Sequence, residues 1–205
     1  LMADPQTVLT HQRAMAQTAR PIAGWVADQI AVPSGARHLL DAGGAHGVYS
    51  AAICRRHPPL AAHILELPAT LESARQVARE YGSDPYVTHL PGDIRSTPLR
   101  NQYAVVFLGN LIHHYTAATL RSVLTTLAAH LEPGGTIAIW DLAVPAKAVD
   151  MVGAGFALFF YLTSGAGCHG EAALANALET AGFEDMLVKS PPHGTTHMLV
   201  TAKRR

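Results

Sequence analysis

Leu39-Leu40-Asp41-Ala42-Gly43-Gly44-Ala45-His46-Gly47 is the stretch on which the fold turns. An apolar run ends in an acidic residue, and three glycines follow within five positions. That is the punctuation of a strand entering a tight turn and then a helix. Glycine keeps such a turn tight and lets the backbone approach a ligand at the helix N-terminus. Two narrower readings fail. The dinucleotide pattern G-x-G-x-x-G is not met, because Ala45 and Val48 stand at its second and third glycine positions. No Lys-Ser/Thr follows the glycines, so a Walker-type phosphate loop is excluded.

Outward from this turn the chain alternates between short apolar runs and helical stretches. Strands are expected at 38–40, 62–65, 86–88, 104–108 and 136–140, and helices over 46–56, 69–81 and 117–131. Pro133-Gly134-Gly135 reads as a turn. Further helices are expected over 147–162 and 171–182. Two late strands, near 184–189 and 196–202, are joined only by a segment containing Pro191-Pro192-His193-Gly194, so they should pair antiparallel. Residues 9–32 read as helix, closed by Pro33-Ser34-Gly35. The fold class is α/β: a doubly wound, Rossmann-like, seven-stranded and mostly parallel sheet with the last strand antiparallel.

The 205 residues fit one ordinary domain. Fifteen basic and 15 acidic side chains balance, and no basic tract is present, which speaks against nucleic acid or an anionic membrane as partner. The most apolar stretch, Met151 to Thr163, holds glycines and is too short to span a bilayer. Cys54 and Cys168 are too few for a disulfide framework or a four-ligand zinc site. No metal site is expected, and with no leader segment a reducing cytoplasm is the expected location.

Glu66 ends the second strand, nineteen residues past Gly47. An acidic side chain there can accept both ribose hydroxyls of a nucleoside; a surface carboxylate at a helix start is the alternative. With it a pattern emerges. Residues 41–47 resemble motif I of class I S-adenosylmethionine-dependent methyltransferases. Leu65-Glu66-Leu67-Pro68 resembles the Asp-Leu-Pro signature of the small-molecule O-methyltransferases that include caffeate and bacterial polyketide enzymes. Pro91-Gly92-Asp93-Ile94 is similar to their Gly-Asp turn, whose Asp faces the adenine. Leu131-Glu132-Pro133-Gly134-Gly135 and Ala181-Gly182-Phe183 are similar to later motifs, in the family's order. The resemblance implies S-adenosyl-L-methionine as cofactor and S-adenosyl-L-homocysteine as product. Asp41, Gly43, Gly44, Glu66, Leu67, Asp93, Ile94, Gly109 and Asn110 would surround the cofactor. Ala45 departs from the middle glycine of motif I, Glu66 from aspartate, and Gly109 from a lysine of the plant members.

The fourth strand runs into Asn110-Leu111-Ile112-His113-His114-Tyr115. Ligands of open α/β sheets sit beyond the carboxyl ends of the strands, so this segment points into the same crevice. Methyl transfer to a phenol of pKa about 10 gains roughly 10²–10⁴ from a positioned base, and histidine suits that task. The family places its base at the position of His113 and orients it with a carboxylate at the end of the fifth strand. Asp141 stands there, 28 residues on. His113 as a packing residue is the alternative, and the choice between His113 and His114 as base stays open, with His114 expected to matter less. Cys168 falls where the family has a second glutamate, and Tyr115 where it has a tryptophan edging the adenine. His11, His57, His89 and His130 read as solvated surface. His46 could touch cofactor or cap the helix. Phe156, Phe159, Phe160 and Tyr161 could line an aromatic pocket or pack a core helix.

The expected function is an S-adenosylmethionine-dependent O-methyltransferase acting on a small hydroxylated, aromatic or polyketide-like metabolite. Two readings compete: an N- or C-methyltransferase needing no base, and a non-methylating relative with a lyase, pericyclic or binding role. Residues 1–36 are expected to be linking helices and 37–205 the catalytic domain. The family's helical dimerisation region precedes such helices, and Leu1 comes before Met2. The chain is therefore expected to be part of a longer homodimeric protein, monomeric as a fragment, with apolar surface exposed around Met15, Ile22 and Trp25.

Overall fold

The computed structural model describes residues 4–142, 151–192 and 196–205. Its helices are α1 (Pro5–Ala19), α2 (Ala23–Gln29), α3 (Val48–Arg56), α4 (Leu71–Glu80), α5 (Ala117–His130), α6 (Met151–Ser164) and α7 (Glu171–Thr180). Its strands are β1 (His38–Ala42), β2 (Ala61–Glu66), β3 (Val87–Pro91), β4 (Tyr103–Gly109), β5 (Leu131–Leu142), β6 (Phe183–Lys189) and β7 (His197–Arg204). The first residues of the helix expected over 147–162, and His193-Gly194 of the last connection, lie outside the described residues.

The strands form one sheet in the order β3-β2-β1-β4-β5-β7-β6. The first five pair parallel, and β7 runs antiparallel to both β5 and β6, as the sequence led us to expect. The order reverses between β1 and β4, the switch point where such sheets bind ligands. Both strands there are buried on two faces, and their side chains divide between two apolar layers. Leu40, Val106 and Leu108 face α5 and α7; Leu39, Val105 and Phe107 face α1 to α3.

Two local expectations are corrected. The helix read over 9–32 is broken at Arg20-Pro21 into α1 and α2, since proline lacks the N–H a continuing helix would use. Pro133-Gly134-Gly135 is not a turn between elements. It lies inside β5, where Gly134 has φ +72 and the pairing with β4 shifts register between Tyr103 and Val105. This is a bulge in a continuous strand.

The N-terminal helices are packed into the core. Ala16, Ala19, Val26 and Ala27 are at most 1% exposed, and Arg13 of α1 pairs with Glu80 of α4 at 2.5 Å. Met15, Ile22 and Trp25 are half-buried, with Trp25 tilted against Trp140. Among the described residues, the large exposed apolar side chains lie on α6 instead, at Met151, Phe156, Leu158, Phe159, Tyr161 and Leu162, apart from Leu187 on β6.

Candidate active site

The glycine turn at the carboxyl end of β1 is pinned from its neighbours. Gly43 N–H donates to the Leu65 carbonyl at 2.8 Å. Gly43 has φ +71, and even Ala45 is left-handed at φ +43, a conformation unfavourable for a residue with a Cβ. Two buried side chains hold Ala45 there. Its N–H donates to Glu66 Oε2 at 3.0 Å, and its carbonyl accepts from His89 Nε2 at 2.8 Å. The other Glu66 oxygen accepts from Leu67 N–H (2.9 Å) and the Thr70 hydroxyl (2.6 Å). The glutamate thus reaches the backbone of the turn at Ala45. His46 caps α3: its Nδ1 accepts from Val48 N–H at 3.1 Å, and burial pulls its pKa down to about 4.

Beneath the turn, Asp41 is buried. Its Oδ2 accepts from the Ser50 hydroxyl, while Oδ1 has no hydrogen-bond partner among the described residues. A Cβ on Gly44 would come within 2.2 Å of this carboxyl group, so only glycine lets the turn lie over it. Burial pushes the Asp41 carboxyl up to about 7; the Ser50 hydroxyl pulls it down, and the Glu66 charge adds to the rise.

Asp93, beyond β3, is held by Arg95: Nε lies 3.0 Å from both carboxylate oxygens, and these bonds keep the carboxyl below its usual range. Ile94 is buried behind it. Gly109 ends β4, where a Cβ would meet the Phe107 ring at 2.8 Å. Asn110 takes φ +52, donates its N–H to the Trp140 carbonyl, and accepts at Oδ1 from His197 Nε2 (2.8 Å). His197 stacks on Trp140.

The fourth-strand segment closes over Asp141, at the end of β5. Asp141 Oδ2 accepts from Leu111 and Ile112 N–H, each at 2.9 Å. Its Oδ1 accepts from Leu142 N–H at 2.7 Å and from His113 Nδ1 at 2.6 Å. Both partners of this pair are buried. Because an ionised carboxylate only accepts, the Nδ1 proton of His113 belongs in this bond, and in the neutral ring Nε2 carries the lone pair. That nitrogen lies 3.1 Å from His114 Nε2, and His114 Nδ1 lies 2.9 Å from the Ser164 hydroxyl. Phe160 of α6 covers the His113 ring at 3.9 Å between centroids. His169 ties the α6–α7 connection to the Ile112 and Tyr115 carbonyls. His114 is exposed, yet desolvation on the side where it packs and the neighbouring His113 ring pull it down to about 4.

Every site residue expected from the sequence lies at or just past the carboxyl end of one of the strands β1 to β5, with His113 and Asp141 in direct contact and Glu66 and Asp41 on either side of the glycine turn. His89, read as surface, is buried in β3 and holds the turn at the Ala45 carbonyl. The α6 aromatics divide: Phe160 is buried on His113, while Phe156, Phe159 and Tyr161 are exposed. Ser164 and His197 were not anticipated; neither lies in a motif, and each meets the site only through the folded chain. Among the described residues no helix is long and apolar enough to cross a membrane, and no cluster of three or more His, Cys, Asp or Glu is arranged to hold a metal ion.

This sheet, with its glycine turn, acidic second strand and antiparallel last strand, defines the class I methyltransferase fold. The chain belongs to the S-adenosylmethionine-dependent O-methyltransferase family, whose O-methyltransferase domain matches residues 1–184. An O-methyltransferase family protein from Burkholderia thailandensis superposes with a TM-score of 0.85 at 24% identity, over 98% of this chain and 60% of that one. The 3-hydroxy-5-methyl-1-naphthoate 3-O-methyltransferase of Streptomyces sahachiroi is 28% identical over 111 residues, 54% of this chain and 32% of the relative. Aclacinomycin 10-hydroxylase RdmB of Streptomyces purpurascens is 33% identical over 127 residues, 62% and 32% of the two chains. The chain spans about a third of the length of these curated relatives.

Proposed function

We propose that this chain transfers a methyl group from S-adenosylmethionine to a hydroxyl of a small aromatic or polyketide-like metabolite, with His113 as base and Asp141 as its orienting carboxylate. The observation that carries the reading is the buried 2.6 Å contact between His113 Nδ1 and Asp141 Oδ1 at the switch-point end of the sheet. The pair fixes the ring and its tautomer, and the carboxylate stabilises the imidazolium that proton uptake creates. The naphthoate O-methyltransferase among the relatives supports a hydroxylated aromatic acceptor.

The residues of the turn fit the cofactor. The buried, unpartnered Asp41 Oδ1 suits a cationic amine, and Gly43 and Gly44 leave room for a ligand to approach the backbone. Glu66 would hold the ribose, Leu67, Ile94 and Asp93 the adenine side, and Gly109 and Asn110 the wall beyond β4. When bound, S-adenosylmethionine supplies a methyl group already activated on a sulfonium. Residues 37–205 carry this site, and the helices of 1–36 brace it. Cytoplasmic work suits the two free cysteines, Cys54 buried and Cys168 half-buried. Assembly as a homodimer belongs to the same reading, since a partner would cover the exposed apolar side chains of α6.

The hydroxylase among the relatives favours a second reading, a member of the family that binds its ligands without methylating them. Labelled S-adenosylmethionine offered with matched phenols, aromatic amines and activated-carbon acceptors separates these readings. Label on the phenol oxygen is expected; label on nitrogen or carbon, or none, contradicts it.

Two outcomes test the cofactor contacts. Glu66→Ala should weaken S-adenosylhomocysteine binding by about 1.5–3 kcal/mol, the worth of hydrogen bonds to a charged acceptor. Calorimetry showing unchanged affinity with the fold intact removes Glu66 from the site. Asp41, raised to about 7 in the fold from an ordinary 3.8, favours the folded state most fully below pH 3.8. That contribution is lost as the pH rises through about 7. A ligand ammonium beside the carboxyl restores the anion, so binding at pH 6 should release roughly one proton per ligand, falling toward zero above pH 8. Calorimetry in buffers of different ionisation enthalpy reads this directly, and the absence of proton release at pH 6 contradicts the placement.

A further inference from the structure

The structure assigns His114 the role of the group that meets the acceptor hydroxyl and passes its proton inward to His113. The inference rests on the O-methyltransferase reading and deepens it.

With the His113 ring neutral, the direction of every hydrogen bond in the chain Asp141–His113–His114–Ser164 follows from its first member. Asp141 accepts, so His113 donates from Nδ1 and accepts at Nε2. The contact between the two Nε2 atoms, at 3.1 Å, then requires His114 to carry its proton on Nε2. His114 Nδ1 is left as an acceptor, and the Ser164 hydroxyl donates to it at 2.9 Å. The inner histidine has no free nitrogen. Its ring is buried between Phe160, 3.9 Å away, and His114, 4.2 Å away between centroids. His114 is the exposed ring, and the one remaining lone pair of the wired pair receives the Ser164 hydroxyl. Ser164 shows what that nitrogen takes; an acceptor hydroxyl would replace it.

The step balances as a displacement with a two-link proton transfer. The O–H electron pair of the acceptor forms the O–CH₃ bond, and the pair of the broken C–S bond stays on the sulfonium sulfur. The hydroxyl proton goes to His114 Nδ1 as the Nε2 proton of His114 moves to Nε2 of His113. The positive charge ends on His113, against the Asp141 carboxylate, and His114 is left neutral. The division of labour explains why a histidine that is by itself a weak base can stand in the contact position: it conducts the proton without keeping it. It replaces the expectation that His114 matters little.

Two measurements test this. Nitrogen-15 NMR of the labelled, ligand-free chain should show His113 protonated at Nδ1 and His114 protonated at Nε2. His114 as the Nδ1–H tautomer overturns the wiring whatever the activity. In the transfer assay, with the phenol that the wild type methylates, His114→Phe keeps a ring in place and should lower turnover at least about 100-fold, with S-adenosylhomocysteine affinity unchanged by calorimetry. Added imidazole should restore part of the rate in His114→Ala. Turnover of His114→Phe within about threefold of wild type, with His113→Phe inactive, overturns the relay while leaving the O-methyltransferase reading intact. A wild type that labels no phenol overturns that reading and the relay with it.

Discussion

Replacing His113 by alanine is expected to lower the rate of methyl transfer by roughly 10²–10⁴, the range a positioned general base contributes. The effect falls on turnover, because His113 lies beside Asp141 at the end of β5 while the proposed cofactor contacts gather around the turn after β1. Steady-state kinetics beside calorimetry with S-adenosylhomocysteine therefore gives a lower kcat and an unchanged Kd. Equal rates in wild type and variant would mean that proximity alone drives transfer, the behaviour expected of an acceptor that needs no base.

The second large effect is on stability. Asp141→Ala removes the acceptor of three backbone N–H groups and one imidazole from a buried position. Breaking a buried, hydrogen-bonded pair by deleting one partner costs about 3–5 kcal/mol. Leu111 and Ile112 would lose the bonds that shape the segment after β4, so turnover should fall along with stability. Urea denaturation measures the first effect, and an unchanged midpoint would show that these donors find other partners. Asp141→Asn is the informative companion. It keeps an acceptor for some of the backbone bonds, so it should recover part of the stability while leaving His113 poorly oriented and the rate low.

The parts of this account legible in the sequence are those in which local chemistry and tertiary placement coincide. The glycines of residues 43–47 punctuate the chain as a turn because a tight connection over Asp41 admits no Cβ at Gly44. Spacing brought Glu66 to the next strand end and Asp141 to the end of β5, because parallel strands share one carboxyl edge. What stayed hidden depends on a neighbour far along the chain. His89 sits in a five-residue strand with half-buried and exposed residues around it, and nothing local marks it as the side chain that holds the Ala45 carbonyl 44 residues away. Ser164 reaches His114 across fifty residues, from a helix whose apolar sequence does not distinguish a core face from an uncovered one. Pro21 is a breaker in plain view: the apolar periodicity over 9–32 runs across it, but the helical backbone does not. The Pro133-Gly134-Gly135 bulge misled for the opposite reason, since turn residues also serve inside a strand where register must slip.

The most direct test of the central claim is a single-turnover reaction with trideuteromethyl-labelled S-adenosylmethionine and a hydroxynaphthoate, run on the wild-type chain and on His113→Ala. The account predicts a trideuteromethoxy product formed by the wild type, and the same product formed at least about 100-fold more slowly by the variant. Label found on no oxygen, or an oxygen-linked product formed equally fast by both proteins, would contradict it.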